Sequence, residues 1–508
     1  MEDQQFDHLV IGAGSAGNVI ARRLLDAGKR VAVIEAGEQD TNPDIANVCT
    51  LGALWHSEQD WDYYSTAQDG AAGRSLHLPR GKVMGGSHAL NATIWVRGAR
   101  QDYDTWAYLG CPGWSWKDVL PLFKKIENYD GGASETRGGD GLLDVSTGYE
   151  HNPIQDSMLE AAVEAGFELN DDYNSGNPEG VSRMQLNVRD GQRFNTWHAY
   201  LKPVADHPNL TLLTGTRAHR LLIEDGTVLG VEVEDSGGQR VLRAAETILA
   251  AGVINSPELL LRSGIGPADE LAEVGIDVVH DLPGVGKNLQ DHLLSPVIFS
   301  SDRPVPELTA APAEVHLFAK SRPDLEVPDT QPIFFSVPMY SQDYAGGEMT
   351  GADGGFSMLG GLVRPHSRGE VRLTGPEASD PVSIDLRALS ERADVDALVA
   401  SVVHCRRIGR TEALAAWGAT EVYPGPEVAD EDLEQYVRDS VVTYHHQVGT
   451  CRMGLDSEAV VDPRTLKVRG LDGVRIADAS VMPLVPTGNT NAPSVMIGER
   501  AALMLLQG

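Results

Sequence analysis

Apolar positions along the chain fall into short runs and helix-spaced stripes, and the two ends differ in kind from the middle. Residues 6–36 begin with an apolar run, FDHLVIGAG, that enters a glycine turn. SAGNVIARRLLDAG follows, with Val19, Ile20, Leu24 and Leu25 at helical spacing and a stop at Gly28. RVAVIEAG then reads as a second buried strand, so the segment predicts a βαβ unit. Residues 208–234 predict a strand pair turning at Asp225-Gly226. ETILAAGVINSPELLLRSGIG, 246–266, repeats the strand–glycine–helix pattern. Near the C-terminus, VRIADAS predicts a strand, and an apolar helix is expected from about Pro493 to Leu506.

The middle of the chain has another character. Residues 328–374 contain PIFFSVPMY, GFSMLGGLV and RGEVRLTG, which predict a mostly antiparallel sheet. Residues 131–142 and 341–355 are glycine-rich loops without core-forming residues. Nucleotide-type pieces at both ends with β-rich material between them imply a domain built from discontinuous segments. No internal repeat is evident.

Composition narrows the class. The 508 residues carry 41 basic and 73 acidic side chains, a net charge of −32, with 42% apolar and 22% charged residues. This is a globular balance, and at roughly 100–200 residues per domain the length allows two to four domains. The negative charge disfavours a nucleic-acid backbone or an anionic membrane surface as partner. Cys49, Cys111, Cys405 and Cys451 are far apart and form no CxxC pair, so neither a disulfide framework nor a metal site is predicted. The opening MEDQQFDHLV lacks the pattern of a signal peptide, and no stretch approaches the ~18 apolar residues of a membrane helix. These features predict a cytoplasmic protein.

Gly12-x-Gly14-x-x-Gly17 follows a strand and opens a helix. Gly12 permits the tight turn, Gly14 admits a pyrophosphate, and Gly17 lets helix and strand pack closely. The helix start at Ser15 and Ala16 offers free N–H groups to the phosphates. Glu35, beside Ala36 at the end of the second strand, can accept a ribose hydroxyl. A glycine-rich turn is the bland alternative, and the pattern does not separate FAD from NAD. A second cluster, residues 80–106, contains Gly81, Gly85, Gly86 and Asn91, which suit close approach of a flat ligand. Further clusters lie at 251–267, 443–454 and 474–501.

Together these clusters resemble the glucose–methanol–choline (GMC) oxidoreductase family over nearly the whole chain. The N-terminal fingerprint, the GGSxxxN loop, SPxLLxxSGIG, PGVGKNLQDH at 283–292 and the C-terminal HxVGTxRMG and NTNAP elements occur in the family's order. The resemblance implies an α/β, two-domain GMC fold: a Rossmann-like FAD domain over 1–155, 196–290 and 441–508, and a substrate domain of sheet and helices over 156–195 and 291–440. It implies FAD contacts from Gly12, Gly14, Ser15, Ala16, Gly17, Glu35 and Ala36. Gly81, Val83, Gly85, Gly86, His88, Asn91, Ala92 and Ala218 join them, with Asp478, Ala479, Thr490 and Asn491 from the C-terminal elements. His446 falls on the family's catalytic histidine and Asn489 on its partner. The chemistry agrees, since oxidising an alcohol removes a proton and a hydride. Imidazole suits the first, flavin N5 accepts the second, and an amide can hydrogen-bond the developing alkoxide. His445 is expected to turn the other way in an extended segment, as a structural residue. Asn491 reads as an N-cap with Pro493 in the first turn. The resemblance aims that helix N-terminus at the flavin's pyrimidine edge, where it would favour negative charge.

Departures from the family pattern refine the expectation. The loop reads Gly85-Gly86-Ser87-His88, and Leu90 fills the position at which covalent members carry their attachment histidine. Non-covalent FAD is therefore expected, with His88 a possible hydrogen-bonding neighbour of the flavin. The carboxylate that would hold a choline ammonium maps to Leu294, and the aromatic cage to Ala313 and Met339. Without anion or aromatic faces, neutral alcohols are expected. Phe335, Met339 and Met358 are assigned to the pocket, with Phe334 and Tyr340 beside them; core packing is the alternative. Residues 341–355 are expected to form an access lid or a surface loop. The resulting reading is oxidation of primary, neutral alcohols to aldehydes, with oxygen as acceptor and hydrogen peroxide as product. A dehydrogenase using a quinone or other acceptor is the alternative, and a hydroxynitrile lyase on the same scaffold is an alternative of another class. An NAD enzyme would be colourless and would leave the C-terminal clusters without a role. The partners are a small alcohol and an electron acceptor, with no nucleic acid or membrane; monomer and homodimer remain open.

Overall fold

The computed structural model describes residues 5–507. Its first seven-stranded sheet runs in the order Leu210–Leu213, Val31–Ile34, Gln5–Ile11, Gly238–Leu249, Thr227–Asp235, Arg217–Glu224. Val474–Ile476 pairs with the end of Gly238–Leu249. The strands around Gln5–Ile11 are parallel and covered on both faces, so Leu9, Val10 and all of Val31–Ile34 are buried. Helix Ser15–Asp26 buries Val19, Ile20, Leu24 and Leu25 and packs on the C-terminal helix Asn491–Gln507. Asp225 and Gly226 both take positive φ (49° and 76°), the two-residue turn whose twist matches its flanking strands. The strand pair turning there is Arg217–Glu224 with Thr227–Asp235, while Leu210–Leu213, earlier in the same segment, pairs in parallel with Val31–Ile34.

Register places the chemistry. Ile11 lies beside Ile34 and Leu249, and Leu249 beside Ile476, so four strands end together. Gly12, Glu35, Ala250 and Asp478 therefore emerge at one crest, where open α/β sheets bind ligands.

The second seven-stranded sheet is antiparallel, in the order Gly180–Arg183, Ala313–Phe318, Ile333–Phe335, Phe356–Leu362, Leu293–Ser300, Thr420–Tyr423. Helix Arg392–Gly409 covers one face, and the other turns toward the first sheet's crest. Two details differ from expectation. RGEVRLTG pairs with Val382–Asp385 as a separate hairpin, and Val442–Thr443 adds to the second sheet through Leu293 and Leu294. Residues 341–355 form an irregular loop held by buried Met349 and Ala352 and by the Tyr340 hydroxyl, which accepts the Ala352 N–H at 3.0 Å. All four cysteines are free thiols. Among the described residues, no helix is long and apolar enough to cross a membrane.

Candidate active site

A cavity of about 890 Å³ runs from the first sheet's crest to the facing side of the second sheet. At one end, the fingerprint turn and the Gly85-Gly86 loop touch. A Cβ on Gly86 would stand 2.8 Å from Gly14 Cα, and one on Gly12 2.3 Å from the Ala250 oxygen. The Gly85 N–H donates to the Ala13 carbonyl at 2.9 Å, tying the loops together. Ser15 and Ala16, at the start of the first helix, line the cavity with Gly12 and Gly14. Glu35 accepts from the Ala13 and Gly37 N–H groups, both at 2.9 Å, and burial pushes its carboxyl up to about 7. Asp478 accepts from Gly252 N–H and Ser256 Oγ at 2.9 and 2.6 Å, which ties the turn after Val474–Ile476 to the start of helix Gly252–Arg262.

Ala36, Gly81, Gly86, His88, Asn91 and Ala92 also reach the cavity, as do Ala218, Asp478, Ala479, Thr490 and Asn491. Three of the expected contacts lie behind its wall. Gly17 sits under the turn, where a Cβ would meet the Gly12 oxygen at 1.9 Å. Val83 points into a small core with Ile45, Leu54 and Ala89. Gly85 faces Asn195, in a left-handed conformation (φ 101°). Met358 is likewise no pocket residue. Strand alternation sends Phe334 and Met358 to the helix-covered core, while Ile333, Phe335, Leu359 and Leu294 face the cavity, with Met339 and Tyr340 at its wall. Ala313 belongs to a core cluster and is not among the cavity's lining residues.

The chemistry-bearing end is built on residues 442–448. The segment is pinned to the 290–294 strand by Tyr444 N–H to the His292 carbonyl (2.9 Å) and by reciprocal bonds between Gln290 and Val448 (3.0 and 2.9 Å). His445 is not extended: its φ of 63° turns its ring onto Trp55, 5.2 Å between centroids, with Nδ1 2.7 Å from Thr443 Oγ1. That turn carries His446 inward. Its backbone N–H donates to Asp291 Oδ1 at 2.9 Å, and Gln447 Nε2 donates to the other oxygen of the same carboxylate. His446 Nε2 lies 3.0 Å from Asn489 Nδ2, and Nδ1 lies 3.0 Å from His292 Nδ1. Gln331 Nε2 reaches both Asn489 Oδ1 and His316 Nδ1 at 3.2 Å. Burial holds His446 well below the ordinary imidazole range, and the charges of His292, His445 and Arg80 add to it.

The fold brings together His446 and Asn489, which the sequence singles out, and adds Asp291, His292, Gln331 and His316, which it does not. Asp291 and His292 stand in PGVGKNLQDH and were visible as part of a motif; Gln331 and His316 lie in plain β-like runs with no local signal. Asn491 also departs from its expected part. The Thr490 carbonyl accepts the Ser494 N–H at 3.1 Å, so Thr490 takes the cap position and Asn491 is the first helical residue. Asn491 Oδ1 and both His88 ring nitrogens are buried at the cavity with no partner among the described residues. Such orphaned groups beside a glycine cradle and a helix N-terminus fit a flat, polar-edged dinucleotide.

Burial also sets the acid response. It pushes His88, His292, His316 and His445 down to about 3, His404 to about 4, and His446 well below its usual range. It pushes Glu35, Asp291 and Glu314 up to about 7. Between about 6.5 and their folded values the histidines take protons only when unfolded, so stability falls as pH falls. The three acids hold protons only in the folded chain between about 4 and 7, and oppose this. The histidines outnumber them, so stability is expected to drop below about pH 6.5, more steeply below about 4.5. Thermal unfolding midpoints that stay level between about pH 7 and pH 5 would contradict it.

Known proteins resemble this chain along nearly its whole length. The family model described as GMC oxidoreductase matches residues 6–294 in its N-terminal part and 365–498 in its C-terminal part. An alcohol dehydrogenase [acceptor] of Pseudomonas putida is 37% identical, over 99% of this chain and 96% of its own. An oxygen-dependent choline dehydrogenase of Rhizobium etli is 38% identical, over 98% and 95%. The crystal structure of pyridoxine 4-oxidase from Mesorbium loti superposes with a TM-score of 0.94 at 35% identity, covering 99% of this chain and 100% of that one.

Proposed function

The chain belongs to the GMC oxidoreductase family, and from that premise we propose that it oxidises primary, neutral alcohols to aldehydes with His446 as base. It is an FAD-dependent oxidoreductase of CH–OH groups, and bound FAD supplies N5 as hydride acceptor. The observation that carries the proposal is the 3.0 Å contact between His446 and Asn489 in the cavity wall.

Gln331 donates to Asn489 Oδ1, which turns the Asn489 amide so that Nδ2 faces His446 Nε2. Nε2 then carries a lone pair, and the ring proton sits on Nδ1, toward His292 Nδ1. An alcohol entering between the two side chains displaces the Asn489 N–H from that lone pair, and Nε2 then takes the alcohol's hydroxyl proton. The second N–H of Asn489 remains free to donate to the oxygen as charge develops on it. Burial of both side chains keeps water from competing for that oxygen. Leu294, Phe335 and Met339 give the pocket an apolar wall without a carboxylate at position 294, which supports a neutral substrate. Leu90 in place of an attachment histidine supports non-covalent FAD. We assign the flavin half to 1–155, 196–290 and 441–508, with the strand at 442–443 shared with the substrate half. Free cysteines throughout the chain support a reducing, cytoplasmic setting.

Anaerobic mixing of the holoenzyme with a panel of aliphatic and aromatic primary alcohols is expected to bleach the yellow flavin. Flavin that stays oxidised with every alcohol would reject the proposal and favour a lyase. For the acceptor we propose oxygen, on the resemblance to choline-type oxidases. The relative named alcohol dehydrogenase [acceptor] supports a quinone-like acceptor instead, and an oxygen electrode separates the two.

A further inference from the structure

A second cluster of ligand-type side chains stands at the mouth of the same cavity, apart from the His446 network. His56 Nδ1 lies 2.7 Å from Asp62 Oδ1, and His77 Nε2 lies 3.0 Å from the same oxygen. The three donor atoms fall within 4.8 Å of one another. Asp60 Oδ2 stands 3.5 Å from His77 Nε2.

The chain has gone to some length to bring them together. His56 and Asp62 both take left-handed backbone conformations, φ 59° and 54°, unusual for residues other than glycine. The turn between them is held by the Asp60 carboxylate, which accepts the backbone N–H groups of His56 (3.2 Å), Asp62 (3.0 Å) and Arg80 (2.8 Å). His77 arrives from the hairpin of Tyr63–Tyr64 with His77–Leu78, and its ring stacks on His56 at 4.1 Å. Buried His77 Nε2 makes no hydrogen bond of acceptable direction among the described residues, although Asp62 Oδ1 is 3.0 Å away. Nε2 is thus left without a partner beside two other ligand-type atoms.

We propose that His56, Asp62 and His77 form a binding site for a divalent transition metal of the zinc class, with Asp60 as fourth or outer ligand. Two imidazole nitrogens and a carboxylate, with no thiolate, suit Zn²⁺ and its neighbours. Magnesium and calcium prefer all-oxygen shells and are poorly served here. The His56 and Asp62 side chains are 43% and 45% exposed, so an ion can arrive from solvent and keep water in its open position. The bound ion would clamp the 56–62 turn to the hairpin, because its ligands come from both. His77 and Trp55 line the cavity, so the clamp lies at its wall. The spacing of positions 56, 62 and 77 announces no metal site in the sequence; only the fold brings them together.

The test is titration of the metal-stripped, flavin-loaded enzyme with Zn²⁺ by calorimetry, with metal analysis after desalting. One equivalent per chain is expected in the wild type, and Mg²⁺ and Ca²⁺ should not compete. His56→Ala, at an exposed position that endangers folding little, is expected to weaken binding by more than ~10–100-fold, the loss typical of removing only an outer-shell partner. His77→Gln should do the same, with flavin absorbance reporting that each variant remains folded. No stoichiometric zinc in the wild type, zinc retained undiminished in both variants, or equal binding of Mg²⁺ would each overturn the site and leave a hydrogen-bonded His–Asp cluster.

Discussion

Replacing His446 with alanine is expected to lower turnover by about 10²–10⁴-fold while the protein keeps its flavin, the loss typical of a deleted general base. The two halves of that outcome have separate causes. Turnover falls because nothing else in the cluster can take over. Asn489 offers a donor, and His292, whose Nδ1 points at the vacated space, stands behind His446 and is not among the cavity's lining residues. Flavin stays because the groups suited to its phosphates and ribose, from Gly12 to Glu35, stand at the other end of the cavity. The measurement is kcat with an alcohol that the wild type oxidises, alongside flavin content from the visible spectrum. A variant with full flavin and a rate within about tenfold of wild type would remove His446 from the role of base.

Replacing Glu127 with alanine is expected to cost about 3–5 kcal/mol of stability, because it strands two buried guanidinium groups. Arg97 and Arg137 both donate to the Glu127 carboxylate, Arg137 through Nε at 2.9 Å and Nη2 at 3.1 Å. Gly138 N–H at 2.8 Å and Trp95 Nε1 at 3.2 Å complete its shell. The side chains of Arg97 and Glu127 are fully buried, so water cannot replace what is lost. Burial lowers Arg97 to about 10 even with Glu127 beside it as the main opposing charge. The group also joins distant segments. Arg137 bonds Asp172 at 2.8 Å, and the Arg97 backbone N–H donates to Asn174 Oδ1 at 2.7 Å. Urea unfolding of the flavin-loaded protein measures the effect, with Glu127→Gln expected to fall between wild type and alanine. A loss below about 1 kcal/mol would mean that the arginines find other partners or leave the interior.

Much of this arrangement was legible before the fold was known, and what was legible shared a property. The fingerprint around Gly12, the hairpin at Asp225-Gly226 and the motif holding His446 are local: their residues act on near neighbours in sequence. Met358 was misread because a pocket assignment on a strand depends on which face is covered, and helix Arg392–Gly409 decides that from afar. Gln331 was invisible for a similar reason. It reaches the site through Asn489, 158 positions away. The Asn491 assignment failed by a single residue, since the same Asn-Ala-Pro pattern suits a helix beginning one position earlier. His445 shows the converse case, a residue set aside as structural whose left-handed backbone is what directs its neighbour inward.

The late pairing of Val474–Ile476 with Thr247–Leu249 has a consequence for the order of events during synthesis. The crest that carries Gly12 and Glu35 is assembled from strands made early, but the turn bearing Asp478, the Asn489 amide and the helix that covers Ser15–Asp26 are translated hundreds of residues later. A nascent chain therefore carries an unfinished nucleotide sheet with Val19 and its neighbours uncovered for most of its time on the ribosome. The cofactor's compartment closes only after residue 491 and the helix behind it have emerged. Flavin capture is in this sense a check on completion: a chain cut short before that point keeps its glycine fingerprint and lacks the walls to hold what the fingerprint recognises.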